Sequence, residues 1–453
     1  MISIKIHLET DYSSCFPQTS RRHLVYLKME EEITVRIEEN ASKPEQKLSP
    51  ITYVSWLLGV GVARPRNSPK SVTIILRFIH FGVCSVIVAF SAMDFVNFGK
   101  VFTSKLFEIM YWINETVCHV ASYYYVCHVI HHYDKWPELM KKLESLDLHI
   151  GKEISIDDGS VMIRQILAIL TVCLFGPVSL IVHVLYYYFT APDQIFASDL
   201  LLYYTIAQTL VNSFVFDVIV YMICLRFRAI NRMIEKLDEG DGAHWTAFKI
   251  RRIRRLHNEL CSITMSINEI YGIDLLICST NSFIMVVAKL FRIYMSAAEH
   301  KDGFIFINNV IWMIYGGQFS IMCWVCTLTH REINKISLSI SQFALNVRRS
   351  AKFDRLTFYN NFRNRESEQL EICGDNAVLN LNGFGIENLL RTNFERECVR
   401  NEINDFSLQL QQYRIAFTAS DFFEMDNSLL TRFISVITTY LIILVQFYKP
   451  EHF

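Results

Sequence analysis

Seven apolar segments, each close to the length that crosses a bilayer, constrain this chain of 453 residues more than any other feature. Polar stretches separate the segments. Backbone inside a bilayer must satisfy its own hydrogen bonds, so each segment is predicted to be helical. We therefore predict an all-α membrane protein with seven transmembrane helices. The predicted spans are Phe78–Met93, Leu106–Ile130, Ile166–Tyr188, Leu200–Leu225, Tyr271–Met295, Phe304–Leu328 and Leu429–Phe447.

The distribution of basic residues predicts how the helices are oriented. Of the 44 Lys and Arg residues, 37 fall on the side that holds the N-terminus, six fall on the other side, and Arg432 lies inside the seventh span. Because cytoplasmic loops carry the excess of positive charge, the N-terminus is predicted to be cytoplasmic and the C-terminal tail external. We expect a multi-pass protein of the plasma membrane, oriented opposite to a G-protein-coupled receptor.

The spans divide the chain into four parts. The N-terminal part contains a short apolar stretch, Ile51–Val62, which is predicted to form a helix at the membrane surface or packed on the bundle. The linker before the last span shows helical patterning at Glu332–Val347 and Arg396–Tyr413. Between them, polar Asn360–Gly385 is either a disordered loop or an error in the assigned coding sequence. The four parts are an N-terminal segment (1–77), six helices with a ligand pocket (78–328), a linker with anchor helices (329–428) and the last helix with its tail (429–453).

Patterns of catalytic or cofactor chemistry are absent from the sequence, which has no phosphate loop, dinucleotide turn, nucleophile elbow or metalloprotease helix. A net charge of −1 excludes a broad nucleic-acid footprint. Cys323 and Cys326 have the spacing of a metal or redox pair, but they lie inside a span without a second pair, which favours packing. We expect no enzyme, no cofactor, no metal and no nucleic-acid partner.

Two polar clusters allow more than one interpretation. His128, His131 and His132 share a helix face at the end of the second span, and an interfacial cluster is favoured over zinc because one helix end rarely supplies a tetrahedral site. A helical segment between the fourth and fifth spans carries five basic residues. They suit either phosphate binding or a solvated face near anionic lipid headgroups, and the second is favoured. The five are Lys249, Arg251, Arg252, Arg254 and Arg255.

The last span carries a polar stripe. At helical spacing Ser435, Thr439, Ile442 and Gln446 fall on one face, and three of the four are polar. A side-chain amide in hydrocarbon is costly without a partner, so this face requires protein or water beside it. The stripe therefore predicts either bonds to a neighbouring helix or a water-lined path, and the spacing leaves both open.

The same span contains a sequence signature, in which Thr439-Tyr440 is followed by five aliphatic residues and then by Gln446-Phe447. The residues that approach and enter the span fit the same pattern. With this signature, the chain resembles the insect gustatory receptor family, and Asn360–Gly385 has the position of an insertion relative to that family. The approach residues are Phe417-Thr418-Ala419, Phe422-Phe423, Asp426 and Leu429-Leu430.

This resemblance implies a tastant-gated, non-selective cation channel of chemosensory neurons, assembled as a tetramer of this chain alone or with related gustatory receptors. The seventh helices would line one pore, and cytoplasmic extensions of the fourth to sixth helices would form an anchor with the helix before the seventh. The alternatives are a seven-helix G-protein-coupled receptor and an olfactory-type chemoreceptor channel subunit. The implied pore and gate residues are Ser435, Thr439, Ile442, Gln446 and Phe447, the last two at the outer constriction.

Aromatic and amide side chains gather in the second to sixth spans, mostly in their outer halves. Small-ligand pockets combine aromatic walls with a few placed polar groups, so these halves are predicted to hold the ligand. One acid, Glu115, accompanies the amides, which suits a neutral or weakly basic tastant such as a plant bitter compound or a sugar. Membrane lipid is the other expected partner. The predicted ligand residues are Trp112, Asn114, Glu115, Tyr187, Tyr204, Asn281, Trp312 and Gln318.

Overall fold

The chain folds into long helices, and within the described residues the exception is an isolated bridge between Thr418 and Glu424. The computed structural model describes residues 44–65, 68–98, 105–156, 159–190, 197–237, 243–298, 303–369, 396–413 and 415–447. The helices are α1 (Pro44–Leu57), α2 (Lys70–Phe98), α3 (Lys105–His131), α4 (Lys135–Gly151), α5 (Gly159–Leu170), α6 (Gly176–Thr190), α7 (Ala197–Glu235), α8 (Ala243–Ala298), α9 (Gly303–Gln369), α10 (residues 396–412) and α11 (Asn427–Phe447).

Each of the seven predicted spans lies within helical structure, so the all-helical prediction is confirmed. The third span is made of α5 and α6, joined by a single π-helical turn at Thr171–Phe175. In the described part of the chain, six spans are long and apolar enough to cross a membrane, and α3 is not among them. The reason is composition, because Asn114, Glu115 and His128 reduce the apolar character of α3.

Helix α7 forms the centre of the bundle and packs against both α8 and α9. Its Val220, Ile223 and Ile230 are completely buried. Such a helix has apolar neighbours on every side, so it lacks the single apolar stripe of a surface helix. Inside a bilayer the alternative to this burial is contact with lipid, so α7 is held by close packing of its side chains rather than by their removal from water.

Helices α8 and α9 are far longer than a bilayer is thick. They contain 56 and 67 residues, whereas about 20 residues cross the apolar core of a bilayer. Helix α9 continues without a break to Gln369, so residues 360–369 are helical and the prediction of a loop beginning at Asn360 was wrong there. Adding residues to an existing helix costs little compared with starting one, which explains why polar residues extend it. Residues 370–385 of that predicted loop lie outside the described residues.

Helix α1 packs on the bundle, which decides between the two positions that its sequence allowed. Its Leu48 and Ile51 are buried, and Gln165 of α5 donates a hydrogen bond to the carbonyl of Lys47 at 2.7 Å. The helix ends at Leu57, before the predicted Val62. Gly59 ends it with a φ of 71°, a conformation that glycine adopts without strain.

Helix α4 was not predicted, although its apolar residues recur every three or four positions. They face the bundle and are buried: Trp136, Leu139, Met140, Leu143, Leu146 and Ile150.

Ion pairs hold the helices together outside the predicted spans. Arg226 of α7 makes two hydrogen bonds to the carboxylate of Asp147, at 2.9 and 2.7 Å. Arg254 of α8 pairs with Asp405 of α10 at 2.8 Å.

The residues with metal-like spacing lie in or next to helices of the bundle. Cys323 and Cys326 are buried thiols inside α9. The Nδ1 atom of His128 lies 3.1 Å from a carboxylate oxygen of Asp274 on α8, and both side chains are buried. No group of three metal-ligating side chains occurs among the described residues.

Candidate functional site

Helix α11 begins with a capped turn and then packs on the bundle along a narrow stripe. The carboxylate of Asp426 accepts a hydrogen bond from the backbone N–H of Leu429 at 2.7 Å, which caps the helix. The ring of Phe433 stacks on Phe319 of α9 with centroids 4.2 Å apart. Ile437 is the buried side chain of α11, and most of the others are exposed in the single chain.

The polar stripe lies on the exposed side of α11. Ser435, Thr439, Ile442 and Gln446 are all exposed, and 74% of Phe447 is exposed. Thr439 donates its hydroxyl to the carbonyl of Ser435 at 3.0 Å, so that proton is satisfied within the helix. Among the described residues, none on another helix bonds to the stripe. This face is therefore available to lipid, to water or to another copy of the chain.

Tyr440, the remaining residue of the signature, points to a different neighbour. Its ring makes an edge contact with Phe283 of α8, with centroids 5.8 Å apart. Leu441 and Leu444 of the signature also pack against Phe291 and Met295 of α8, so the signature combines side chains that contact the bundle with others that stay exposed. Sequence spacing alone does not show which of these side chains contact the bundle and which stay exposed, because apolar or amphipathic residues occur at both kinds of position.

Residues 415–426 connect α10 to α11 through a turn packed against α8. Asn268 of α8 accepts a hydrogen bond from the backbone N–H of Thr418 at 2.8 Å and donates one to its hydroxyl at 2.9 Å. Ser420 has a φ of 49°, in the left-handed region. A Cβ at Gly272 would lie 3.3 Å from the backbone nitrogen of Ser420, so the close contact depends on glycine. The turn ties the start of α11 to α8.

The predicted ligand residues on α3 join a polar group near α2. Ser91 donates a hydrogen bond to Glu115, and the Nε2 atom of His119 lies 3.7 Å from the same carboxylate. Asn114 is buried beside it, and Trp112 is half-buried. Ser91 and His119 therefore contact one oxygen of Glu115, whereas its Oε2 atom has no hydrogen-bond partner among the described residues.

Other predicted ligand residues serve as internal partners. Gln318 donates a hydrogen bond to Asp217 of α7 at 2.7 Å, and both are buried. Cys118 donates to Asn281 at 3.4 Å. Asp217 was missed by the sequence analysis. Its signal was a lone acid inside an apolar span, which requires a partner.

Two of the last three predicted ligand residues bond to other partners. The hydroxyl of Tyr204 is 2.5 Å from Nδ1 of His80. Trp312 donates a hydrogen bond to Asn309 at 2.8 Å. The side chain of Tyr187 lies outside the described residues. The role of the eight residues as one ligand site stays a prediction.

A narrow crevice lies between the π-helical turn, α6, α7 and α9. Its cavity volume is about 30 Å³, room for one or two water molecules, and its wall is mostly apolar, so an organic ligand would enter only if the helices separate. Polar groups are few, and the hydroxyl of Tyr203 lies 3.2 Å from Nδ1 of His183. Two of the predicted ligand residues, Tyr204 and Trp312, directly follow the lining residues Tyr203 and Ile311 in the sequence. The lining residues are Thr171, Val172, Gly176, Ser179, Tyr203, Ile206, Ala207, Leu210, Ile311, Ile314 and Tyr315.

The π-helical turn contributes directly to this crevice through Thr171, Val172 and the adjacent Gly176. Pro177 lacks a backbone N–H, so the carbonyl four residues earlier, on Cys173, loses its α-helical donor. A wider turn beside such a proline is a common adjustment, often found at functional sites. The Gly176-Pro177 pair inside an apolar span was the sequence signal for this irregularity.

Comparison of the sequence with known families gives one extended match. The model of the 7tm chemosensory receptor family matches residues 48–374 and 389–449. The omitted residues 375–388 overlap the predicted insertion. Gustatory receptor 2a of Drosophila melanogaster is 22% identical over 231 residues, which is 49% of this chain and 46% of that receptor. The alignment thus spans about half the length of this curated relative.

Two solved structures share the arrangement of helices. The insect olfactory receptor OR5 from Machilis hrabei matches with a TM-score of 0.56 and 11% identity, covering 94% of this chain and 100% of that one. The same receptor in complex with eugenol matches with a TM-score of 0.54 and 12% identity, over the same shares of the two chains. At this identity the likeness concerns the fold.

Proposed function

Because this chain belongs to the 7tm chemosensory receptor family, we propose that it is a gustatory receptor that opens a non-selective cation pore when a small organic tastant binds. Family membership makes it a multi-pass membrane receptor and not an enzyme. The gustatory assignment is supported by its curated sequence relative, which is a gustatory receptor. The four parts predicted from the sequence, 1–77, 78–328, 329–428 and 429–453, are retained as its functional units.

The exposure of α11 is the observation that carries this proposal. Only 6% of its most apolar stretch is buried, although its composition suits a membrane span. A tetramer would bring four α11 helices together, and the stripe of Ser435, Thr439, Ile442 and Gln446 would then face water. Four Phe447 rings would close the outer end by excluding water, and four Gln446 amides would offer partners to passing cations.

The orientation follows from charge and is part of the proposal. The excess of basic residues on one side supports a cytoplasmic N-terminus and an external C-terminus in the plasma membrane. An epitope placed after Phe453 is expected to be labelled in intact cells. Labelling only after permeabilisation would contradict this orientation and would revive a G-protein-coupled receptor.

The crevice supports a mostly apolar ligand. Few polar groups line it, and burying sugar hydroxyls without partners costs free energy for each unpaired group. A neutral or weakly basic plant bitter compound fits such a wall better than a sugar does. The eight residues predicted from the sequence are retained as secondary candidates that would shape the bundle around the ligand. They are Trp112, Asn114, Glu115, Tyr187, Tyr204, Asn281, Trp312 and Gln318, of which Tyr204 and Trp312 are sequence neighbours of lining residues.

Expression of the receptor alone, followed by voltage clamp with bitter compounds and sugars, tests this function. A Cβ at Gly176 meets no atom within 4 Å, so Gly176→Leu would fill the crevice. We expect the agonist concentration for half-maximal current to rise about tenfold or more, which corresponds to a binding loss of about 1.4 kcal/mol. Gly82→Leu is the matched control, because its surroundings are equally open and it does not line the crevice. An equal rise in the half-maximal concentration for both variants would refute the crevice as the ligand site.

An olfactory-type channel subunit is the second candidate. The fold of the Machilis olfactory receptor favours it. Volatile compounds added to the same voltage-clamp panel discriminate the two functions. Currents evoked by volatiles alone, with no response to bitter compounds or sugars, would replace the gustatory assignment.

A further inference from the structure

A cleft lies between the end of α4 and the first part of α8, outside the predicted spans. It encloses about 790 Å³ including its open mouth. We propose that this cleft binds an anion that carries several phosphate groups. Three of the five basic residues that the sequence analysis assigned to a solvated face line it. The lining residues are His149, Lys152, Phe248, Arg251, Arg252, Arg255, Leu256 and Glu259.

Two of the four cations in the cleft are held by acids. Arg251 donates to Glu402 of α10 at 2.7 Å through Nε, and Arg252 lies 3.1 Å from Glu153. The ion pairs place these guanidinium groups at the cleft without removing their remaining N–H donors. Guanidinium presents five donors in a planar fork, so a phosphate can share a group that already binds one carboxylate.

The other two cations, Arg255 and Lys152, make no ion pair with any residue that the structure describes. Glu259 is the acid among the lining residues. Two uncommitted positive charges beside two partly satisfied ones match a ligand with several negative charges better than a single carboxylate. A multiply charged anion is therefore favoured over chloride or an acidic side chain.

An aromatic wall indicates that the anion has an organic body. Phe248 is 49% exposed and lines the cleft. Its ring stacks on Trp245 with centroids 5.4 Å apart and planes 15° from parallel. Exposed rings beside cations provide an apolar surface for the C–H face of an inositol ring or for a base. Phosphate groups would bind the guanidinium and ammonium groups at the other side.

The position of the cleft allows two sources of this chemistry. Arg255 precedes the predicted start of the fifth span at Tyr271 by 16 residues, about 24 Å along a helix. A soluble inositol polyphosphate reaches the cleft freely. A phosphoinositide headgroup reaches it only if α8 is tilted or the membrane surface lies closer. The shared feature is a cluster of phosphate groups on a small ring.

Binding at this cleft has a direct connection to α11, although the binding itself does not depend on the proposed pore. Arg251 and Arg254 both bond Glu402 of α10. Helix α10 leads through residues 415–426 into α11. An anion that draws Arg251 away from Glu402 would weaken the contact between α8 and α10, and so would change the support of α11.

Purified full-length receptor in detergent, titrated with inositol hexakisphosphate, tests the soluble source. The same receptor in nanodiscs with and without phosphatidylinositol bisphosphate tests the lipid source. We expect saturable binding to at least one probe. The double variant Arg255→Gln/Lys152→Gln is expected to weaken it about tenfold or more, as loss of charge-assisted hydrogen bonds does. Arg255→Lys, which keeps the charge, is expected to retain most of the binding.

Lys141→Gln is the matched control, because Lys141 is exposed on α4 and does not line the cleft. Unfolding temperatures of all variants separate loss of binding from loss of fold. No saturable binding to either probe would overturn the proposal, and so would an equal loss in Lys141→Gln. Phe248→Leu is expected to weaken binding while leaving its salt dependence unchanged, and an unchanged affinity would remove the aromatic wall from the site.

Discussion

Helices α7 and α11 are both apolar enough to cross a bilayer, yet their surroundings in the single chain are opposite. Of the most apolar stretch, 89% is buried in α7 and only 6% in α11. Composition therefore tells which segments tolerate lipid, but not which of them are covered by protein. The difference identifies α7 as the structural centre and α11 as a helix whose surface is largely uncovered in the single chain.

The polar groups of the two helices follow the same contrast. Gln208 on α7 is completely buried and donates to the carbonyl of Leu58 at 2.9 Å. Asp217 on the same helix accepts from Gln318. On α11, Gln446 is exposed. Polar residues thus tie α7 into one structure, whereas on α11 they remain available for a function that needs water or another copy.

The largest expected effect concerns the ion pair at the end of α7. The side chain of Arg226 is completely buried, so Asp147→Ala would remove the carboxylate that faces a buried charge. We expect a loss of about 3 to 5 kcal/mol in stability, measured as a lower unfolding temperature of the solubilised receptor. Asp147→Ala/Arg226→Met should recover most of the loss. The exposed partner of Lys142, Glu138, gives a control, since Glu138→Ala should leave the unfolding temperature unchanged.

A matched pair of glutamine substitutions sharpens the comparison. Gln208→Ala leaves the carbonyl of Leu58 without its donor, and we expect a loss of about 1 to 3 kcal/mol in stability. Gln446→Ala removes an exposed amide and should change stability by less than about 0.5 kcal/mol while altering conductance or ion preference. Reduced surface expression of Gln446→Ala with normal single-channel properties would refute the pore role of Gln446.

Phe447→Ala is expected to affect gating without affecting the fold. The side chain is 74% exposed, so its loss removes little packing within the chain. If four rings close the pore, the variant should conduct without agonist or give larger currents, because a wider opening is easier to wet. Phe189→Ala is the control, since Phe189 is 79% exposed at the end of α6 and should leave currents unchanged. Equal currents from the two variants would place the gate elsewhere.

The smallest change in stability is expected for a cysteine on the polar stripe. Ile442 is 53% exposed, so Ile442→Cys should fold normally. A thiol reagent added during activation should then block the current if this face lines water. Val436→Cys offers a comparison on a different face of α11, since Val436 is also exposed. Block of both variants at the same rate would mean that the stripe has no special access to water.

Much of the fold could be predicted from local patterns. The helices of the seven spans were predicted from apolar runs near bilayer length, although α3 is less apolar than the other six, and the helical linker segments were predicted because apolar residues recur at helical spacing. Helix α4 was missed, although Leu139, Leu143 and Leu146 show that spacing. The candidate ligand site was not found, because the crevice is formed by residues of the π-helical turn, α6, α7 and α9 that are distant in sequence and mostly apolar.

The sequence by itself determined the membrane class, the family and the polar stripe on the last helix, because these depend on composition and on spacing within one helix. Only the tertiary structure decided which polar groups form hydrogen bonds inside the chain. It paired Asp217 with Gln318 and Glu115 with Ser91, and it left Gln446 uncovered. The physical reason is that a buried polar group takes its partner from whichever helix packs against it, and that choice depends on the whole bundle.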